Sequence, residues 1–390
     1  SALTSDELVL SVQKAQEKRD AANPTEVVDL AHVQVSKIEE AIELPVAVDE
    51  LGNAVMLRFD LGGNVHGIVT GTTGSGKTYF LRNAIEAACT HYSPDDLEIW
   101  IIDYKRSDFA GLRDVDQRFP HIGLVAIDTS EDFIKVAIDR LYDVEMKNRQ
   151  TLMVENVPSA RDINEYNYYV AKHPELGLEH MRYLLVVIDE FHAQAAVMAA
   201  TRLNKDDSSN YSRKFQNLIK ECRAYGMHVL IADQSLTDGP NLQALGEKTV
   251  QTNMTNRVLL AWGTNGQEPC AMVSSTYSSD LEILGKGDAY IQHGGHKPIR
   301  CVTRCVEDKA MCASNERIRA SLGDACKAWD ERFEYLDATR RDAPTWTEYC
   351  QRMTTDIMGS RLVPIGSKSS FVDPTLRIAL NSNIGQNIFV

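Results

Sequence analysis

Long hydrophobic runs are missing from this sequence: no stretch approaches the roughly 20 consecutive apolar residues that a membrane helix needs. Nor does its start read as a signal peptide. The chain is therefore expected to be cytoplasmic. Since it opens on Ser1 rather than Met, any membrane anchor is expected in other parts of a longer parent protein. Basic charge is also short. Lys and Arg number 41 against 55 Asp and Glu, a formal net charge of −14. No whole-domain attraction to nucleic acid is expected from this balance, which leaves only local basic loops for any DNA contact. Zinc-type cysteine spacing is absent as well. The eight cysteines are scattered, and the one cluster, Cys301, Cys305, Cys312 and Cys326, has no CxxC and no paired His. These are read as reduced thiols rather than zinc ligands.

What is present is an ordinary globular composition, 43% hydrophobic and 25% charged, in 390 residues. That length holds one large domain with appendages or two modest domains. Residues 1–42 read as a polar helical extension broken at Asn23-Pro24-Thr25. Leu44 to Val48 and Val55 to Phe59 read as short strands around a turn. Buried strands then alternate with helices. The strands are expected at His66 to Thr70, Leu97 to Asp103, Gly123 to Ile127, Tyr183 to Asp189, His228 to Ala232, Arg257 to Trp262 and Asp288 to Gln292. Helical spacing marks Tyr79 to Thr90 and Glu131 to Met153. Continuous apolar runs such as Leu184-Leu185-Val186-Val187-Ile188 suit strands covered on both faces. The expected class is α/β, with a mostly parallel central sheet flanked by helices.

From residue 307 the character changes. Ile318, Leu322, Ala325, Trp329, Phe333 and Leu336 recur at three- and four-residue steps, predicting one apolar helix face that packs on its own domain. Beyond it lies an internal echo. Leu362-Val363-Pro364-Ile365-Gly366, Thr375-Leu376-Arg377-Ile378 and Asn387-Ile388-Phe389-Val390 repeat the order of Leu44-Pro45-Val46-Ala47-Val48, Val55-Met56-Leu57-Arg58 and His66-Gly67-Ile68-Val69. Residues 43–306 are thus expected to form one domain, and 307–390 a helical linker with the lead-in strands of a second.

Gly71-Thr72-Thr73-Gly74-Ser75-Gly76-Lys77-Thr78 matches GxxxxGK[ST] between a strand and a helix, the context a nucleotide phosphate loop requires. Glycines let the backbone wrap phosphate oxygens, and the loop N–H groups with the helix start supply positive potential. Lys77 is expected to reach the β- and γ-phosphates of ATP, and the Thr78 hydroxyl to ligate Mg2+. Asp189 and Glu190 close an apolar strand: Asp189 is the second expected magnesium ligand, and Glu190 the general base for water. Gln234, in Ala232-Asp233-Gln234, is either a sensor of the γ-phosphate or a loop cap. Asp103 and Lys105 fit a structural ion pair as well as catalysis. Arg257 and Arg223 are candidates for a finger reaching a neighbouring subunit, or for surface pairing.

HGIVTGTTGSGKT from His66, WIIDYKRSDFAGL from Trp100, INEYN from Ile163, VVIDEF from Val186, CRAYGMHVLIADQ from Cys222 and LGKGDAYIQ from Leu284 occur in the order seen in the FtsK/SpoIIIE superfamily. With their lead-in strands they span residues 44–306, about two thirds of the chain. The resemblance implies a RecA-like P-loop motor ATPase, working in six-membered rings or tandem modules, that moves a polymer. Thr72-Thr73, Asp103-Tyr104-Lys105 and the echoed strands look more like the EssC/EccC-type modules of type VII protein secretion. The alternatives are a translocase of double-stranded DNA and a low-turnover nucleotide-binding regulatory module. Asp233 departs from the threonine usual before the sensor glutamine. Arg106 and Ser107 replace glycines usual in the secretion branch.

Overall fold

The computed structural model describes residues 30–106, 108–234, 252–261, 285 and 287–337, and the backbone of three strands at 354–355, 361–367 and 375–380. An antiparallel pair opens the fold, β1 (Ile42–Asp49) and β2 (Ala54–Phe59), then β3 (Gly67–Thr70) and helix α1 (Lys77–His91). Next come β4 (Leu97–Asp103), β5 (Ile122–Ile127), α2 (Glu131–Asp139), α3 (Lys147–Asn156) and α4 (Ile163–Lys172). A π-helical stretch, Arg140–Met146, joins α2 to α3. The chain continues through β6 (Tyr183–Asp189), α5 (His192–Thr201), α6 (Tyr211–Glu221), β7 (Met227–Asp233) and β8 (Asn256–Leu259). It then runs through β9 (Asp288–His293), β10 (Ile299–Thr303), α7 (Asp308–Leu322), α8 (Cys326–Arg332) and β11 (Glu334–Asp337).

Strand β6 shows why the sheet is parallel and central. All seven of its residues are buried. Leu185 and Val187 enter one core with Phe80, Leu81 and Ile85 of α1. Leu184, Val186 and Ile188 enter the other with Phe133 of α2, Met198 of α5 and Phe215 of α6. A strand apolar on both faces needs helices on both sides, and each such side chain contributes about 1.5–3 kcal/mol when fully buried. The eleven-stranded sheet runs in the order β11-β5-β4-β6-β7-β3-β8-β9-β10-β1-β2. Pairs from β11 through β8 are parallel, and those from β8 through β2 antiparallel.

The expected strands all appear, with β4 and β6 at their expected bounds. Trp262, expected in β8, and residues 1–29 of the expected helical extension lie outside the described residues. The rest of that extension is corrected: only Leu30–His32 forms a short 3-10 turn, and Ile42 already opens β1. The single helix expected through Leu336 is corrected. Helix α7 stops at Gly323, whose φ of 56° is left-handed, and the chain restarts as α8. Residue Leu336 then sits in β11, paired with Ala126 of β5. The expected packing holds in part: Ile318 and Phe333 lie against the first core and Leu336 against the second, whereas Ala325 is exposed.

A separate sheet contains β12 (Thr354–Thr355), β13 (Arg361–Ser367) and β14 (Thr375–Leu380). Strands β13 and β14 pair antiparallel with a register shift between Pro364 and Gly366. Strands β1 and β2 pair the same way, with the shift between Pro45 and Ala47. The echo thus extends from composition to the position of a bulge just after a proline. Its third segment, Asn387 to Val390, lies outside the described residues.

Candidate functional site

The glycine-rich loop leaves the middle of the parallel sheet, where Thr70 of β3 stands between Asp233 of β7 and Leu259 of β8. Open α/β sheets gather ligands beyond this strand end. A Cβ on Gly71 would come within 2.5 Å of Ser75 Oγ and 2.8 Å of Leu260 Cβ, so no larger residue fits there. Gly74 and Gly76 hold φ of 80° and 104°, a region that L side chains rarely enter. Thr72 N–H donates to the Ala261 carbonyl at 2.9 Å, tying the loop to the chain leaving β8. The Ser75 hydroxyl is buried and has no hydrogen-bond partner. Lys77 opens α1 and folds back, its Nζ donating to Gly71 O at 2.8 Å. Burial pushes the Lys77 amine down, while Glu190, Asp189 and Asp233 pull it up. A concave loop with a buried cation and the start of a fifteen-residue helix is an anion cradle.

Register brings the acids to the same edge. Asp103 of β4 is paired with Asp189 of β6, and Ile188 with Ile231 of β7. Asp103 is fully buried, and its carboxylate accepts N–H groups of Lys105, Arg106, Asp108 and Phe109 at 2.7 to 3.4 Å. It shapes the turn after β4 through these backbone N–H groups, while the ion pairs of Lys105 run to Asp108 and Glu190. That turn returns Asp108, whose Oδ2 accepts from Thr78 Oγ1 at 2.8 Å and lies 3.3 Å from Lys105 Nζ. Asp189 is pushed up to about 7 by burial and by the nearby Asp103, with Glu190 and Asp108 adding to it. Carboxylate and hydroxyl oxygens crowded in this way suit a hard divalent cation, which would relieve their repulsion. Glu190 follows with φ of 51°, unusual for a non-glycine residue and costing about 1–3 kcal/mol. Its carboxylate lies 3.3 and 3.4 Å from Gln234 Nε2, and Gln234 Oε1 accepts from Thr73 Oγ1 at 2.9 Å. Gln234 therefore bridges the phosphate loop and Glu190.

Residues 30–238 match the model of the FtsK/SpoIIIE family. The chain belongs to the FtsK/SpoIIIE family. This is a family of P-loop ATPases. Two curated relatives carry different names. The DNA translocase SftA of Bacillus subtilis is 25% identical over 328 residues, covering 79% of this chain and 31% of SftA. The ESX-5 secretion system protein EccC5 of Mycobacterium tuberculosis is 28% identical over 228 residues, covering 56% of this chain and 14% of EccC5. The chain thus spans about a third or less of either relative. Among solved structures, the cytoplasmic domain of the Thermomonospora curvata type VII secretion ATPase EccC has a similar fold, with a TM-score of 0.57. It is 21% identical, with 76% of this chain and 33% of that one covered.

The two expected arginines, Arg223 inside the matched residues and Arg257 beyond them, stand apart from the chain's own phosphate loop. Arg257 is paired with Ile68 near the start of β8, and its Nε donates back to Met254 O at 3.1 Å. Arg223 sits in the turn before β7 and donates to Gly62 O at 3.3 Å. Both belong to the end where parallel strands begin, opposite the loop. Two neighbours of the site escaped the sequence reading, Asp108 and His192. His192, the first residue of α5, places Nδ1 3.3 Å from Glu190 Oε2 and 3.2 Å from Asp233 Oδ1. The only signal for it was its place two residues after Glu190. Asp108 lies inside the WIIDYKRSDFAGL stretch, but nothing in that stretch states that the turn folds back onto Thr78.

The Gln234 bridge has a measurable consequence. Gln234→Ala should leave ATP affinity near its original value and slow hydrolysis about tenfold, below the range for a proton-transfer group. Paired calorimetry and phosphate-release assays check this, and unchanged turnover would reduce Gln234 to a loop contact.

Proposed function

We propose that this chain is an ATP-binding and ATP-hydrolysing motor module that drives a polymer past itself, most like the type VII secretion ATPases. The observation that carries the reading is the convergence of the glycine loop, Lys77, Thr78, Asp189 and Glu190 at one edge of the sheet. The loop N–H groups and Lys77 bind the β- and γ-phosphates. Thr78 and Asp189, with Asp108 beside them, hold Mg2+, which when bound neutralises phosphate charge. Glu190, kept above the loop by its left-handed backbone, accepts the proton of the attacking water. Gln234 links that base to Thr73 and so reports the state of the loop. Neighbouring modules or subunits, in a ring of six in the full assembly, are the partners.

Protein export is favoured by the net charge of −14 and by the bulged hairpin β13–β14, which supports a second module's lead-in. A second reading, a motor for double-stranded DNA, is favoured by the length of the SftA match. The cargo is tested by measuring ATP hydrolysis with duplex DNA, with a secreted protein's signal peptide, and with added neighbouring modules. The expected result is stimulation by peptide or module and none by DNA. Stimulation by DNA alone would replace the first reading with the second. Absence of turnover under every condition would leave a regulatory nucleotide-binding module.

A further inference from the structure

Beside the phosphate loop the structure gathers three side chains with the donor set of a transition-metal site. Glu190 and His192 come from the end of β6 and the start of α5, and Asp233 from the end of the adjacent β7. One ligand atom from each lies within 4.8 Å of the other two. The separations from His192 Nδ1 are 3.3 Å to Glu190 Oε2 and 3.2 Å to Asp233 Oδ1. A tetrahedral ion bound at about 2.0–2.1 Å to nitrogen and oxygen sets its ligands about 3.3 Å apart, which both gaps from His192 match. Both carboxylates are buried, at 6% and 1% exposure, while His192 is half exposed and gives an ion a way in. One imidazole nitrogen with two carboxylates suits a borderline ion such as zinc or cobalt better than magnesium, which takes oxygen ligands.

We infer that Glu190, His192 and Asp233 form an inhibitory site for a divalent transition ion, separate from the oxygen ligands around Thr78 and Asp189. An ion on Glu190 Oε2 draws charge from the whole carboxylate and lowers its basicity toward water, so occupancy opposes base catalysis. That consequence rests on Glu190 being the base of the proposed function, whereas the site itself does not. Binding needs His192 neutral and both carboxylates ionised, and it releases whatever proton they share.

The test titrates the whole chain, free of nucleotide, with zinc against a chromogenic chelator, and with cobalt followed by absorption. One ion is expected per chain, with a cobalt spectrum of nitrogen and oxygen ligation. His192→Ala and, independently, Asp233→Asn should each weaken binding about tenfold or more. Zinc should also stop phosphate release by the original chain without displacing ATP, and His192→Ala should release that block. Binding undiminished in His192→Ala, or a cobalt spectrum dominated by thiolate bands, overturns the site. So does absence of binding in the original chain, which would leave the imidazole as a hydrogen-bond bridge between two acids. Should the chain hydrolyse no ATP at all, the proposed function fails while the titration still decides the site.

Discussion

Lys77→Ala should abolish measurable ATP binding while the chain remains folded. Lys77 is the buried cation of the loop, and the charges that hold it protonated against burial are those of Glu190, Asp189 and Asp233. Its amine now rests on Gly71 and Thr72 carbonyls, so it is already positioned at the mouth of the cradle. Removing it leaves phosphate to face three acids with the backbone N–H groups and the half-exposed Lys105, which is already paired with Asp108 and Glu190, in support. Breaking a buried charge pair costs about 3–5 kcal/mol, so affinity should fall from about 10²-fold to nearly 10⁴-fold. The core is spared, because α1 is anchored by Phe80, Leu81, Ala84, Ile85 and Ala88. Calorimetry gives the affinity and circular dichroism the fold. Unchanged ATP binding by a folded variant would remove the phosphate-cradle assignment. Lys77→Arg should fail to restore binding, since a planar guanidinium replaces a compact ammonium at a close-packed turn.

The sheet was legible where a strand is apolar on both faces and ends in an acid. Strands β4 and β6 meet both conditions, and each could be bounded at both ends from the letters alone. The glycine loop was legible because its residue types answer to backbone needs: crowding at Gly71 and left-handed φ at Gly74 and Gly76. Strand β11 was not legible. Its four residues are half buried at a sheet edge, and its partner β5 lies some two hundred residues earlier, so no local period separates it from the helix before it. Nor could the arginines be placed. The composition of a strand does not state which of its ends faces the ligand edge; that follows from its parallel pairing. Once β8 is parallel to β3, a residue early in β8 lies away from the loop that follows β3. Asp108 and His192 show a further limit. Each reaches the site through a turn, and turns encode their path in backbone hydrogen bonds such as those to Asp103.

Glu190→Gln should leave ATP binding intact and reduce turnover about 10²-fold or more, because it keeps the shape and removes the base. The side chain is well defined for this task. Its left-handed backbone is held by the Glu190 N–H donating to Asp189 Oδ1 at 2.9 Å and by the next N–H donating to Ala232 O at 3.0 Å. Glutamine occupies the same volume and keeps a hydrogen-bond partner for Gln234, so the loop geometry survives. Parental turnover in matched assembly states would show that Glu190 is not the base. The variant also tests whether a neighbour completes the site. Arg223 and Arg257 bond carbonyls at the end of the sheet away from their own loop, so either one, as a source of transition-state charge, would act on a neighbouring subunit. Such a finger is worth roughly 10³-fold to 10⁵-fold. Specific activity should then rise with protein concentration, and Arg257→Ala should cancel the rise without weakening ATP binding. Mixing Glu190→Gln with Arg257→Ala should recover part of the activity. In one kind of mixed interface an intact Glu190 meets an intact Arg257 from its neighbour. No recovery, with mixed assembly verified by mass, would assign Arg257 to packing alone and move the same experiment to Arg223.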